Sequence, residues 1–425
     1  MIGRLRGPDE AAALWPGVAL SEVLKTVRAY RTARMEEKKA GAKGRTAALK
    51  EVQQQADALA LRGAQAILAR AVGSPDGLRE RLVQFWADHF TVTSRRSIER
   101  ALPATLIEDA IRPHLAGRFS AMLRAVITHP AMLIYLDQVT SFGPGSRRGQ
   151  RQKKGLNENL ARELLELHTL GVSAGYGQDD VRQMAELLTG LAVDPDAGFR
   201  FEPNRAEPGA ETVLGVRYTG QGTEPIFQAL DDLAVRPETA RHLAMKLAVH
   251  FVSDTPDPGL VGAIEKAWNL GGGDLLAVTE AMLGHPAAWA PDAAKARQPF
   301  DFIVAALRAL QVGPDRILRM EAREFRRLIL QPMRDMGQPW QQASGPNGWP
   351  EPLEDWITPQ GLAARITWAM HAPARLVDPL PDPRALVETV LGSRADERLN
   401  WAVAAAESVR EGVGLVLASP AFNRR

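Results

Sequence analysis

Apolar residues recur at three- and four-residue spacing along nearly the whole chain, and strict alternation is confined to one short region. That periodicity favours helices, because positions i, i+3, i+4 and i+7 line one helical face, whereas a half-buried strand needs every second residue. The exception is 194–224, where turn residues surround the alternating Phe199 and Phe201 and the run Val213-Leu-Gly-Val-Arg-Tyr218. The spacing therefore predicts a mainly α, multi-helix single body with a small β-hairpin lobe around residues 196–220. With 425 residues, 45% apolar and 24% charged, there is enough chain for one large core in a soluble globular protein. A net charge of +2 offers no whole-molecule field toward nucleic acid or an anionic membrane. The absence of cysteine removes disulfides, thiolate zinc sites, iron–sulfur clusters and a thiol nucleophile. No apolar run approaches the roughly 20 residues of a membrane span. Asp9, Glu10 and Pro16 make the start a poor signal peptide. The expected address is cytoplasmic by absence of a signal, or periplasmic or exported if the true start lies upstream.

Two blocks are expected. Residues 1–74 form a charged helical segment: Ala, Lys, Glu, Arg and Gln dominate from Ala29 to Val72 and predict a long helix or helical hairpin with a wet outer face. Arg28, Arg31, Arg34, Lys38, Lys39, Lys43 and Arg45 make a basic stripe. Glu36 and Glu37 interrupt it and no aromatics are interleaved, so a solvated face is preferred to a nucleic-acid surface. Residues 75–425 form the main helical domain, with the hairpin lobe at 194–224 and a Trp/Pro/Gly loop at 336–350. His129-Pro, His285-Pro and Ser419-Pro read as repeated punctuation, each a helix end followed by proline in the first turn of the next helix. Ser141 to Gly155 carries Arg147, Arg148, Arg151, Lys153 and Lys154, either as a solvated loop or as a lid.

The stretch Gly155 to Val172 carries the densest chemistry. At about 100° per residue, Glu158, Asn159, Arg162, Glu163, Glu166 and Thr169 share one arc, opposite Leu160, Ala161, Leu164 and Leu167. Glu163 and Glu166 are neighbours on that face, and Glu158 stands four residues ahead of Arg162 to pair with it. Crowded carboxylates push one pKa up and leave the other ionised, the arrangement used for acid catalysis on sugar polymers. His89 lies on the stripe Leu82, Phe85, Trp86, His89, and is either a hydrogen-bonded core residue or a site residue facing the acidic helix. Asp88, offset from that stripe, is expected to contact solvent or a backbone amide. The catalytic candidates are Glu163, Glu166 and His89. The binding candidates are Asn157, Asn159, Arg162, Lys246, Trp340, Asn347 and Trp349, the two tryptophans as a stacking wall. The competing reading is an Arg162-centred ion network that clamps helices together, with Asn157 or Asn159 as caps. No metal is expected, since His168 points roughly 160° from Glu166 on a regular helix. No cofactor is expected either, for no glycine-rich phosphate loop follows a strand, and no Gly-x-Ser-x-Gly elbow is present.

Phe85-Trp-x-x-His-Phe90, Asn157-Glu-Asn-x-x-Arg-Glu-Leu-x-Glu166, Tyr176-x-Gln-x-Asp180-Val, Lys246-Leu-x-x-x-Phe251 and Pro346-Asn-Gly-Trp-Pro350 together resemble a bacterial family. It is the one catalogued as domain of unknown function 1800, and the likeness runs from about residue 75 to Arg425. The resemblance implies a largely helical protein with no established activity. It also implies a partner encoded nearby, an exported protein of sulfatase- or phosphatase-like appearance. The chain departs from the family pattern in three places. An Arg-Phe-Gly segment near the start is missing, the expected threonine is Gly177, and an expected histidine and lysine are Ala206 and Glu211. Two functional readings follow: from the paired carboxylates and the tryptophan loop, an enzyme or binder of a polysaccharide-like polymer; from the resemblance, a non-catalytic binding or assembly partner of that exported protein.

Overall fold

The charged segment folds as a helical hairpin, Leu20–Lys39 against Ala47–Gly73, as expected of strong helix formers. Thr46 starts the second helix, its hydroxyl accepting from the Leu49 amide. The structure, a computed structural model, describes residues 1–39, 46–194, 196–290 and 295–425. Arg28, Arg31, Arg34, Lys38 and Lys39 of the basic stripe are exposed, and Lys43 and Arg45 lie outside the described residues. The C-terminal half of the second helix is inside the protein, with Ala66, Ile67, Ala69 and Arg70 buried. One apolar core reaches from Leu5 to Phe422, so the molecule is a single, mostly helical body.

Buried arginines hold the N-terminal elements to that body. Arg112 donates to both oxygens of Glu80, at 2.9 and 2.7 Å, and to Asp9 at 2.7 Å. Arg70 pairs with Glu108 and donates to the Trp15 carbonyl. Planar guanidinium against carboxylate satisfies two donors at once, which offsets part of the desolvation of burial.

The punctuation has a common mechanism. His129 Nδ1 accepts from the Ala131 amide at 3.2 Å, His285 Nδ1 from Ala287 at 3.3 Å, and Ser419 Oγ from Phe422 at 3.2 Å. In each case the side chain takes an amide that proline leaves free in the first turn. The strand signals resolve into two antiparallel hairpins, Leu191–Asp194 with Gly198–Phe201 and Glu211–Val213 with Val216–Tyr218. The second turns through Leu214 and Gly215, both at positive φ (52° and 79°). Leucine is costly there, and its amide is held by Asp180 Oδ1 at 2.7 Å. Near the C-terminus two helices follow in succession, Glu397–Ala404 and Val409–Ala418, because Ser408 caps a new start through the Glu411 amide. No helix among the described residues is long and apolar enough to cross a membrane.

Candidate functional site

The acidic helix is shorter than its flanking glycines suggest. Asn157 Oδ1 accepts from the Asn159 amide at 2.9 Å, and the helix runs Asn159–Glu163 before widening into a π-turn over Leu164–His168. The wide turn is visible in the Leu170 amide, which bonds five residues back to the Leu165 carbonyl at 3.0 Å. It also corrects one position: Thr169, on the acidic arc of a regular helix, is rotated into the core, where its hydroxyl donates to the Leu164 carbonyl at 2.7 Å. Arg162 bridges Glu158 and Glu166, each at 3.3 Å, and reaches Gln178 at 3.0 Å, which in turn donates to Glu158 at 2.9 Å. Glu163 has no hydrogen bond or ion pair among the described residues. Partial burial and the neighbouring Glu166 raise its pKa, against the pull of Arg162. Asn159 is exposed at the start of this face.

His89 lies elsewhere. Its ring is buried against Trp86 and Phe90, and Nε2 meets the His168 carbonyl at 3.2 Å. His168 occupies the inner face of the acidic helix, so the structure separates His89 from Glu163 and Glu166 by the thickness of that helix. Burial, with Lys246 and neighbouring imidazoles nearby, pushes His89 far below the usual histidine range and His168 down to about 3. Both rings are therefore neutral at neutral pH.

The other candidates gather around Asp88. The Gly345-Pro-Asn-Gly-Trp-Pro350 loop closes over the C-terminus of the helix Gly77–His89, and the Trp349 amide donates to Asp88 Oδ1 at 2.9 Å. Gly348 makes this approach possible: its φ is +81°, and a Cβ there would stand 2.7 Å from the Asp88 carbonyl. The next residue, Glu351, anchors the loop: Oε1 accepts from His250 Nδ1 at 2.6 Å and Oε2 from Lys295 Nζ at 2.9 Å. Lys295, buried, also bonds Asp254, whose other oxygen takes the Leu353 amide at 3.0 Å. Lys246 faces the same cluster, half-buried, its pKa lowered by burial against the pull of Asp88 and Glu351. Burial outweighs the Trp349 amide and Lys246 and lifts Asp88 to about 7. His250 and Lys295 overcome burial at Glu351 and hold it down at about 2.

A family model described as a protein of unknown function, DUF1800, matches residues 8–424. The chain belongs to the DUF1800 family. No curated protein and no solved structure matches it. The match begins well before residue 75, so the N-terminal hairpin belongs to the family as the core packing suggests. In this DUF1800 protein the position where the resemblance places a lysine is Glu211, buried against Glu186. Burial and that carboxylate raise Glu211 to about 7.

Asp88 lines a cavity of about 900 Å³, including its open mouth, with Trp340 and Trp349 in its walls. Asp301 lines the same cavity; Arg425 and Arg81 hold its pKa below the usual carboxylate range against burial. Two further cavities adjoin it, the three sharing Pro103, and Tyr135 lines one of them. Asn347 is exposed on the loop beside this cleft. The structure thus brings together Lys246, Trp340 and Trp349 around Asp88, and leaves Asn157, Asn159, Arg162, Glu163 and Glu166 as a separate group. Sequence reasoning did not single out Glu351, Asp301 or Lys295. Glu351 follows directly on the Pro-Asn-Gly-Trp-Pro motif and was within reach; nothing local marks Asp301 or Lys295.

Proposed function

We propose that the cleft around Asp88 binds a polysaccharide-like polymer and that Asp88 is the acid in its cleavage. The observation behind this reading is two carboxyls lining one cavity with their pKa values pushed apart, Asp88 up to about 7 and Asp301 down. A carboxyl still protonated near neutral pH donates to a departing glycosidic oxygen, and the water that adds its hydroxyl to the anomeric carbon returns its proton to the Asp88 carboxylate. Asp301 stays ionised in its pair with Arg425, so the proton to be given is the one on Asp88. Trp340 and Trp349 in its walls supply rigid apolar area with a polar handle. Glu163 and Glu166 are a second proposed acidic pair, supported by the raised pKa of Glu163.

Reducing-end release from a panel of neutral and acidic oligosaccharides tests this. Asp88→Asn keeps an oxygen for the Trp349 amide, so it should fold and bind while losing turnover by about 10² or more. Trp349→Ala should weaken binding. If Asp88→Asn retains turnover and Glu163→Gln or Glu166→Gln abolishes it, the acidic helix is the site instead. A second reading, a non-catalytic assembly partner of the sulfatase- or phosphatase-like exported protein, is favoured by the charge-matched Arg162 network. It requires that co-expression raise the folded yield of that neighbour, with Asp88→Asn as effective as the unaltered chain.

A further inference from the structure

We infer that a second groove, across Arg81 from Asp88, binds a tetrahedral oxyanion, a phosphate or sulfate ester, carried on an apolar or aromatic body. The groove encloses about 1580 Å³ counting its open mouth, and it shares Arg81, Gln84, Phe300, Asp301 and Arg425 with the Asp88 cavity. Its acids are already engaged. Glu80 is held by Arg112 at 2.9 and 2.7 Å, Asp76 by Arg79 at 3.1 Å, and Asp301 by Arg425. Its remaining cations are not. Arg4, Arg81, Arg297 and Arg308 line the groove with no carboxylate within ion-pair distance among the described residues. Arg308 reaches only the Ala71 and Ser74 carbonyls, both at 3.3 Å, Arg297 the Phe422 carbonyl at 2.9 Å, and Arg4 the Pro75 carbonyl.

Arg81 is the deciding residue. Among the described residues its guanidinium has no hydrogen-bond acceptor at all; it lies over the Phe251 ring, 5.1 Å from the centroid, and is reachable from the groove. Desolvation by its neighbours and the adjacent Arg425 lower its pKa to about 10, against the pull of Asp301. Forked N–H donors match phosphate and sulfate oxygens two at a time, so such an anion would supply what the groove lacks. The lining also includes apolar Met282, Leu283 and Val304, and Trp289. Trp289 is 58% exposed, yet its orientation is held by Nε1 donating to the Leu283 carbonyl at 2.7 Å. A fixed, exposed indole beside unpaired guanidiniums suits a ligand with an anionic head and a flat apolar body.

The test is calorimetric titration of the full chain with 1-naphthyl phosphate, 1-naphthyl sulfate, 1-naphthol and inorganic phosphate. The expected result is saturable binding of at least one naphthyl ester, roughly tenfold or more tighter than naphthol. That binding should weaken with added salt and fall roughly tenfold in Arg81→Gln and in Arg308→Gln. Trp289→Ala should weaken the ester and leave inorganic phosphate unchanged. Whichever ester binds more tightly names the oxyanion. Should Arg81→Gln not fold, the exposed Arg308 carries the comparison. Equal binding of naphthol, no saturable binding of either ester, or binding unaltered in both arginine variants would overturn the inference. Asp88→Asn is expected to leave ester binding intact, so this groove and the Asp88 cleft stand or fall separately.

Discussion

Glu158, Arg162 and Glu166 come from successive turns of one helix, whereas Asp88, His250, Lys295 and Glu351 come from four segments far apart in the chain. Both groups contain carboxylates beside a cation. In the first, each partner keeps a share of solvent, about 39% for the Arg162 side chain, and the pairing is the ordinary i,i+4 contact of a helix surface. In the second, Lys295 is 2% exposed and loop, helix ends and termini close over the group, so its charges have few partners besides one another. The difference explains why burial raises the pKa of Asp88 farther than that of Glu163. Charges that are dense in the sequence tend to be wet; desolvated charges are assembled by the fold.

That contrast sets an order of effects. Lys295→Ala strands Glu351 and Asp254 beside a cavity left by a buried cation, and should cost about 3 kcal/mol or more in urea unfolding. A loss below about 1 kcal/mol would mean the cluster is as solvated as the acidic helix. Gly348→Ala puts a Cβ against the Asp88 carbonyl at positive φ and should cost about 2 kcal/mol, with a change in tryptophan emission as the loop shifts. The pH dependence follows next. Asp88 rises from an ordinary 3.8 to about 7, so the folded state holds this proton more tightly than the unfolded chain. Its contribution to stability therefore falls as pH climbs from about 4 to about 7, and Asp88→Asn should flatten that part of the profile. Glu351, lowered from 4.5 to about 2, acts in the opposite sense: its stabilisation is present above pH 4.5 and is lost as pH falls toward 2. The smallest effect belongs to the helix face, where Arg162→Ala should cost under about 1 kcal/mol and less at high salt. A larger cost would show that the surface network clamps the helices after all.

Much of the candidate site was present in the sequence as pieces. The Trp86-Ala-Asp-His-Phe90 cluster, the Lys246-Leu-x-x-x-Phe251 motif and the Pro346 to Pro350 loop were each visible, and Asp88 does meet a backbone amide as its offset position suggests. What local spacing could not show is that these three pieces touch. The ranking of His89 over Asp88 followed the aromatic stripe, which identifies what is buried rather than what is reachable: His89 is sealed between Trp86 and Phe90 while Asp88 faces a cavity. Thr169 was misplaced for a different reason, because a wheel of 3.6 residues per turn does not anticipate the wider winding from Leu164 onward.

The sequence by itself determined the helical class, the hairpin region, the proline-led helix starts and the Glu158–Arg162 pairing. All of these rest on interactions within a few residues, whose geometry the backbone repeat dictates. Only the tertiary structure decided which ionisable groups lose water, since burial depends on what other segments cover a side chain. That is why Lys295 and Asp301, unremarked in a linear reading, became the residues on which the electrostatics of this protein turn.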